Sequence, residues 1–239
     1  MSRVVRSRAS KIVEDYLTSI WRAQEWGGTA TTTELADVIG VTPSTVSSTL
    51  KKLARDGLIS YEPYSTIELT EAGRTLAIPV LRRHRIIETY LHRRLGLSWD
   101  QVHREADVLE HAVSDLVLSR MDDELGRPER DPHGDPIPGA DGSLPVDATV
   151  GLVDLARGQG GTVARISDRQ PQILRYLRDR GITPDTVLTV TEVNTAAASL
   201  IVDRRAADSG IVVPVEVSTA AASAVRVQPG SVEADPVSG

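Results

Sequence analysis

The sequence predicts a mainly α N-terminal portion, a winged helix-turn-helix followed by a helical segment, and a small barrel-like β domain at the C-terminal end. Three observations predict it. Two short amphipathic segments, each with its own capping signal, meet across Gly40-Val41. Helical periodicity with His, Asp and Glu on one stripe then runs through residues 103–111. From Val146 onward the pattern changes to short runs of β-branched and apolar residues.

Residues 10–26 carry Ile12, Val13, Tyr16, Leu17, Ile20 and Trp21 at helical spacing, and Gly27-Gly28 ends the segment. Arg3, Arg6, Arg8 and Lys11 precede or open this helix. Thr31-Thr32-Thr33-Glu34 has the form of a capping box, in which a hydroxyl and a carboxylate satisfy free amides at a helix start. Leu35, Ala36, Val38 and Ile39 make the next helix short and amphipathic, and Gly40 stops it. Thr42-Pro43 supplies an N-cap and a proline at the first helical position. The helix that follows turns Val46, Leu50 and Leu53 inward and runs to about Arg55. Residues 58–62 and 66–70 read as strands around Pro63-Tyr64-Ser65, a hairpin wing.

Thr42, Ser44, Thr45, Ser47, Ser48, Lys51 and Lys52 lie on the outward side of the second helix. Small hydroxyls near a helix N-terminus reach base edges or phosphates in a major groove, and lysines bind the backbone. With Arg3 and Arg6 they make the candidate contact set for double-stranded DNA. The plain alternative is a helical hairpin with a soluble face. Two capped helices, a glycine turn and a wing in succession favour DNA.

Thr70 caps a long helix, Pro79 predicts a bend in it, and His84 and Glu88 stand at i and i+4. Gly96 breaks it and Ser98 caps the next. There His103, Asp107, Glu110 and His111 fall at i, i+4, i+7 and i+8, one helical face, while Val102, Ala106, Leu109, Val113 and Leu116 form a separate apolar stripe. Lone pairs stacked on one stripe suit a divalent cation if another segment closes the shell; the plain alternative is a solvated face with two histidines. A further helix over 114–125 carries Leu116, Val117, Leu118, Met121 and Leu125, more apolar residues than one small bundle needs, and predicts a homodimer. Residues 126–147 contain five prolines and four glycines and read as an ordered or tethering linker at a domain boundary, with His133 exposed. Strands near 161–166, 187–193, 198–203, 211–217 and 224–228, with a helix over 171–180, make the β domain. The expected domains are 1–73, 74–140 and 146–228, with 229–239 a disordered tail.

The composition narrows the chemistry. There is no cysteine and the only methionines are Met1 and Met121, so disulfides, iron–sulfur clusters and thiolate zinc sites are excluded. A metal site must rest on imidazole and carboxylate, and a reducing cytoplasm fits. No apolar run approaches the roughly 18 residues a membrane span needs and no secretory signal is visible, so no membrane partner is expected. The net charge of -6 conceals an asymmetry: residues 1–98 hold 14 Lys and Arg against 10 Asp and Glu, whereas residues 99–239 hold 13 against 23. A positive N-terminal part on an acidic whole suits a small nucleic-acid-binding module.

Several of these segments, in this order, resemble the diphtheria-toxin-repressor family of metal-activated transcription repressors, and its manganese-sensing branch in particular. The resemblance is carried by Glu14-Asp15-Tyr16-Leu17, by residues 42–47, by Arg83-His84-Arg85-Ile86-Ile87-Glu88, by residues 103–107 and 110–115, and by the linker from Asp131 to Pro138. It implies a helical dimerisation domain, a C-terminal SH3-like (FeoA-like) domain and two metal sites. Asp15, Asp107, Glu110 and His111 correspond to the regulatory site. His84, Glu88 and His103 correspond to the second, to which the C-terminal domain adds a carboxylate, here Asp168. Iron-sensing relatives carry Met in place of Asp15 and Cys in place of Asp107. Some manganese sensors carry Glu in place of Thr18.

Mn²⁺ lies at the weak end of the divalent affinity order and favours hard oxygen donors, which three carboxylates and one imidazole supply. The expected function is therefore a Mn²⁺-dependent repressor of metal-homeostasis genes, not an enzyme, acting as a homodimer on a palindromic operator. Fe²⁺ is the alternative ion, and Zn²⁺ or Co²⁺ would substitute in vitro. Rivals are an iron-dependent repressor, a winged-helix regulator answering an organic ligand, and a His/carboxylate metallohydrolase. The last lacks a separate nucleophile or oxyanion-binding constellation.

Overall fold

The computed structural model describes residues 8–61, 66–205 and 210–230, with side chains from Lys11 onward. Arg3, Arg6, the Pro63-Tyr64-Ser65 turn and the expected tail beyond Gly230 lie outside the described residues. The chain forms two compact units, one drawing on Met1–Ile87, Ala106–Gly126 and Ile137–Leu144, the other on Glu88–Glu105, Arg127–Pro136 and Pro145–Gly239.

In the first unit, α1 (Arg8–Glu25) is followed by α2 (Thr32–Ile39) and α3 (Pro43–Arg55). The capping box forms as expected: Glu34 N–H donates to Thr31 Oγ1, and Thr31 N–H donates to Glu34 Oε2 at 3.1 Å. Gly40 closes α2 with φ of 74°, a left-handed conformation that glycine adopts without steric cost. Val41 then leads straight into Thr42, whose hydroxyl caps α3 through Thr45 N–H. Tyr16, Leu17 and Ile20 of α1 share one buried core with Leu35 of α2 and Val46, Leu50 and Leu53 of α3. The wing is a short antiparallel pair, β1 (Ile59–Ser60) with β2 (Glu68–Leu69), and α1 packs against α2 and β2. α4 (Glu71–Leu95) contains Pro79 without being ended by it.

The two helices expected here both form, but the first ends earlier than expected. α5 (Val102–Leu109) stops at Leu109, where the amides of Ala112 and Val113 both turn back to its carbonyl. Ser114 then caps α6 (Asp115–Glu124) by accepting from Val117 N–H. Glu110 and His111 therefore stand on a turn rather than on the face that carries His103 and Asp107. Val102 and Ala106 of the expected apolar stripe are fully buried, but Leu116 is 69% exposed and Val117 46%.

The second unit holds an antiparallel six-stranded sheet in the order β3-β8-β4-β5-β6-β7. Its strands are β3 (Val150–Gly151), β4 (Gly160–Ile166), β5 (Val187–Asn194), β6 (Ser199–Arg205), β7 (Val212–Ser218) and β8 (Val225–Pro229), with α7 (Pro171–Arg178) after β4 and α8 (Thr219–Ala222) after β7. Trp99 joins this core beside Leu174, Leu177 and Val163. Asp100 accepts from Arg178 at 3.0 Å, which ties the same segment to α7. The proline-rich stretch is fixed rather than loose. Ile166 N–H donates to His133 O, and Gly134 passes so close to β4 that a Cβ there would meet Ala164 O at 1.9 Å. His133, expected at the surface, is fully buried.

Candidate metal centre

The first unit brings three donors together from two elements. Asp15 lies on the second turn of α1; Glu110 and His111 lie on the α5–α6 turn. One oxygen or nitrogen of each falls within 4.8 Å of the others. His111 Nε2 is 2.8 Å from Asp15 Oδ1 and 3.1 Å from Glu110 Oε1. One ring nitrogen thus faces two carboxylate oxygens. A proton there makes one good hydrogen bond; a divalent cation satisfies all three donors together. Glu14 stands nearby, its Oε2 3.5 Å from His111 Nδ1, and the sequence reasoning assigned it no role.

Asp107 is placed differently from expectation. It groups with His84 and Glu110 rather than directly with Asp15. His84 Nδ1 is 2.7 Å from Glu110 Oε2 and 3.4 Å from Asp107 Oδ1, and Arg22 Nη1 of α1 is 3.7 Å from that same Oδ1. Glu110 is shared, one oxygen towards His111 and the other towards His84. His84 thus also reaches the donors around Glu110. Thr18, where some relatives carry a carboxylate, donates its hydroxyl to the Glu14 carbonyl within α1.

The electrostatics follow from this crowding. Burial opposes ionisation of Glu110, yet hydrogen bonds from His111 and His84 bring its pKa down to about 2. Burial raises Asp15 above the usual carboxylate range, against the pull of His111. His111 is raised above an ordinary histidine, first by its hydrogen bond to Glu110 and then by the charges of Glu110 and Asp15. His111 thus favours the ionised form of both carboxylates, and for Glu110 it acts together with His84 and Arg22.

The second unit assembles Glu88, His103 and Asp168. His103 Nδ1 is 3.1 Å from Glu88 Oε1 and 2.8 Å from Asp168 Oδ2. Asp168 comes from the loop between β4 and α7, so the β domain does place a carboxylate here. A further group, Glu88, Asp131 and His133, is buried throughout, with donor atoms within 4.8 Å. His133 Nε2 bonds to Trp99 O at 2.7 Å, its ring stacks on Trp99 with centroids 5.9 Å apart, and buried Nδ1 has no hydrogen-bond partner 4.0 Å from Glu88 Oε2. Burial works against a charged His133, but the carboxylates of Glu88 and Asp131 outweigh it and raise its pKa. The sequence placed neither Asp131 nor His133 among the expected donors, His133 being read as an exposed loop residue. The available signal was the pair of carboxylates and one imidazole packed into residues 131–135, too rich in side-chain chemistry for a simple tether.

Seven of the DNA-contact candidates lie among the described residues. Thr42, Ser44, Thr45, Ser48, Lys51 and Lys52 are exposed on α3 and Ser47 is half-buried. Ser47 and Ser48 donate to the carbonyls of Pro43 and Ser44 at 3.0 Å, which leaves their oxygen lone pairs outward.

Comparison with known proteins bears on both regions. Residues 9–67 match the family model for the iron dependent repressor N-terminal DNA binding domain, residues 70–139 that for the iron dependent repressor metal binding and dimerisation domain, and residues 150–229 the FeoA domain. The iron-dependent repressor IdeR of Mycobacterium tuberculosis (strain ATCC 25618 / H37Rv) is 34% identical over 189 residues, 74% of this chain and 82% of IdeR. The solved structure of a manganese-dependent transcriptional repressor in complex with manganese has 45% identity and a TM-score of 0.84, over 91% of this chain and 99% of the other. That of the manganese regulator SloR has 28% identity and a TM-score of 0.76, over 91% and 98%.

Proposed function

This chain belongs to the diphtheria-toxin-repressor family of metal-dependent transcriptional repressors, and from that premise we propose that Mn²⁺ is its co-repressor. The observation that carries the proposal is the donor set at His111. Asp15, Glu110 and His111 are hard or borderline donors, with no thiolate or thioether in the first unit's cluster. The relatives' named metals point both ways, iron for one and manganese for two, so chemistry has to choose. Oxygen-rich donors relinquish the advantage that soft ligands give Fe²⁺ and Zn²⁺.

We assign Asp15, Asp107, Glu110, His111 and His84 to the first site, and Glu88, His103 and Asp168, extended by Asp131 and His133, to the second. A bound ion supplies two positive charges and holds several carboxylates that would otherwise repel. Asp15 then ties α1 to the α5–α6 turn. Since α1 packs on α2 and β2, the position of α1 is also that of the DNA-reading helices. Thr42, Ser44, Thr45, Ser47 and Ser48 would meet base edges or phosphates, and Lys51 and Lys52 the backbone. In a homodimer two such helices would meet successive major-groove faces of a palindromic operator. Coupling is reciprocal: if metal raises DNA affinity by a factor, DNA raises metal affinity equally, about 5- to 150-fold for ordinary allosteric energies.

The test is operator binding titrated with Mn²⁺, Fe²⁺, Co²⁺ and Zn²⁺ in parallel, with a chelator control, on a duplex selected from a random pool in the presence of Mn²⁺. Binding that needs metal and responds to Mn²⁺ within its cellular range supports the proposal. Binding indifferent to chelation contradicts it, and a response confined to Fe²⁺ would move the chain to the iron-sensing reading.

A further inference from the structure

The positive charges at the first cluster are not all histidines. Arg22 lies seven residues after Asp15 on α1 and so on the same helical face. Its Nη1 approaches Asp107 at Oδ1, the oxygen that also faces His84. Its side chain is only 20% exposed, so solvent screens it incompletely. Its charge also extends to Glu110, whose ionised form it favours. A histidine can surrender its proton when a cation arrives. A guanidinium cannot at any working pH, so it remains a full positive charge beside the site.

We propose that Arg22 is a built-in counter-charge that competes with the metal for Asp107 and thereby sets the metal concentration at which this protein responds. The proposal rests on the ligand assignment above. In the metal-free protein Arg22 offsets part of the repulsion among Asp15, Asp107 and Glu110, which steadies α1 without an ion. In the loaded protein the same charge either gives up Asp107 or stands close to a doubly charged ion, and both weaken binding. The penalty depends on charge and not on ligand softness. Arg22 therefore moves the threshold for every divalent ion by a similar factor and leaves their ranking alone.

A charge series in the full chain tests this: Arg22→Lys, Arg22→Gln and Arg22→Glu, with Mn²⁺ binding read from the electron paramagnetic resonance of the free ion and Co²⁺ binding from absorption. Lysine should stay near the wild type. Glutamine should lower the half-saturating Mn²⁺ about 3- to 10-fold, the scale of one partly screened charge near a divalent ion. Glutamate should lower it further, and Co²⁺ should shift by the same factor. Half-saturation that is unchanged or raised in Arg22→Gln and Arg22→Glu overturns the proposal, as does a changed order of Mn²⁺ and Co²⁺. Asp15→Ala measured alongside separates the two levels: if it binds Mn²⁺ like the wild type, the ligand assignment itself has failed and the proposal falls with it.

Discussion

His111 Nε2, held between an oxygen of Asp15 and an oxygen of Glu110, is where protons and metal meet in direct competition. The hydrogen bond to Glu110 raises its pKa above the ordinary histidine value of 6.5. Ligation needs the lone pair, so binding expels a proton that the folded protein holds more tightly than a free histidine would. Apparent Mn²⁺ affinity should therefore rise with pH through the region above pH 6.5 and level off once His111 is neutral without metal. Calorimetry in buffers of different ionisation enthalpy would detect the released proton, and a flat profile with no release would count against His111 as a ligand. At Asp107 the prediction concerns softness: Asp107→Cys should move the metal ranking in operator binding towards Fe²⁺, and an unchanged ranking would remove Asp107 from the site. Asp107, Glu110 and His111 stood out in the sequence by their spacings of three and four, although Glu110 and His111 leave the α5 face, and Asp15 stood out only through the family resemblance. Burial of His133 was not legible, because it depends on Trp99, 34 residues away, and on β4. Partners so distant leave no local pattern.

Among the elements, α1 shares one buried core with α2 and α3, so the proposed coupling predicts that a shift of α1 at Asp15 carries both helices with it. The helix-turn-helix was legible because each boundary has a chemical signature: the Thr31–Glu34 box, Gly40, and Thr42-Pro43. In the α5–α6 stretch the second helix was legible from Ser114, but the stop of the first at Leu109 was not, since the residues from Leu109 to Val113 contain neither Gly nor Pro. That break lets Glu110 and His111 leave the α5 face and turn towards α1. Thr31→Ala should cost about 1 kcal/mol of stability by leaving the Glu34 amide without its cap, measured by urea unfolding. On α3, Lys51→Ala and Lys52→Ala should each weaken binding to all DNA sequences and reduce the slope of log affinity against log salt by about 1. If one of them changed preference between sequences instead, that lysine would be a base-reading residue.

For the whole molecule, Leu116 and Val117 stand exposed on α6 within the segment that matches the dimerisation domain. Apolar side chains so exposed in one chain fit burial against a second copy. Leu116→Asp with Val117→Asp should shift sedimentation towards monomer and lose operator binding with it, while Mn²⁺ binding by a monomer continues. None of the described helices is long and apolar enough to cross a membrane. An ion between α1 and the α5–α6 turn is the centre of the proposed mechanism, and anomalous diffraction at the manganese edge from crystals grown in Mn²⁺ tests for it most directly. A peak within ligand distance of Asp15, Glu110 and His111 is the predicted result. Density confined to Glu88, His103 and Asp168, in a protein whose operator binding still requires Mn²⁺, would contradict it.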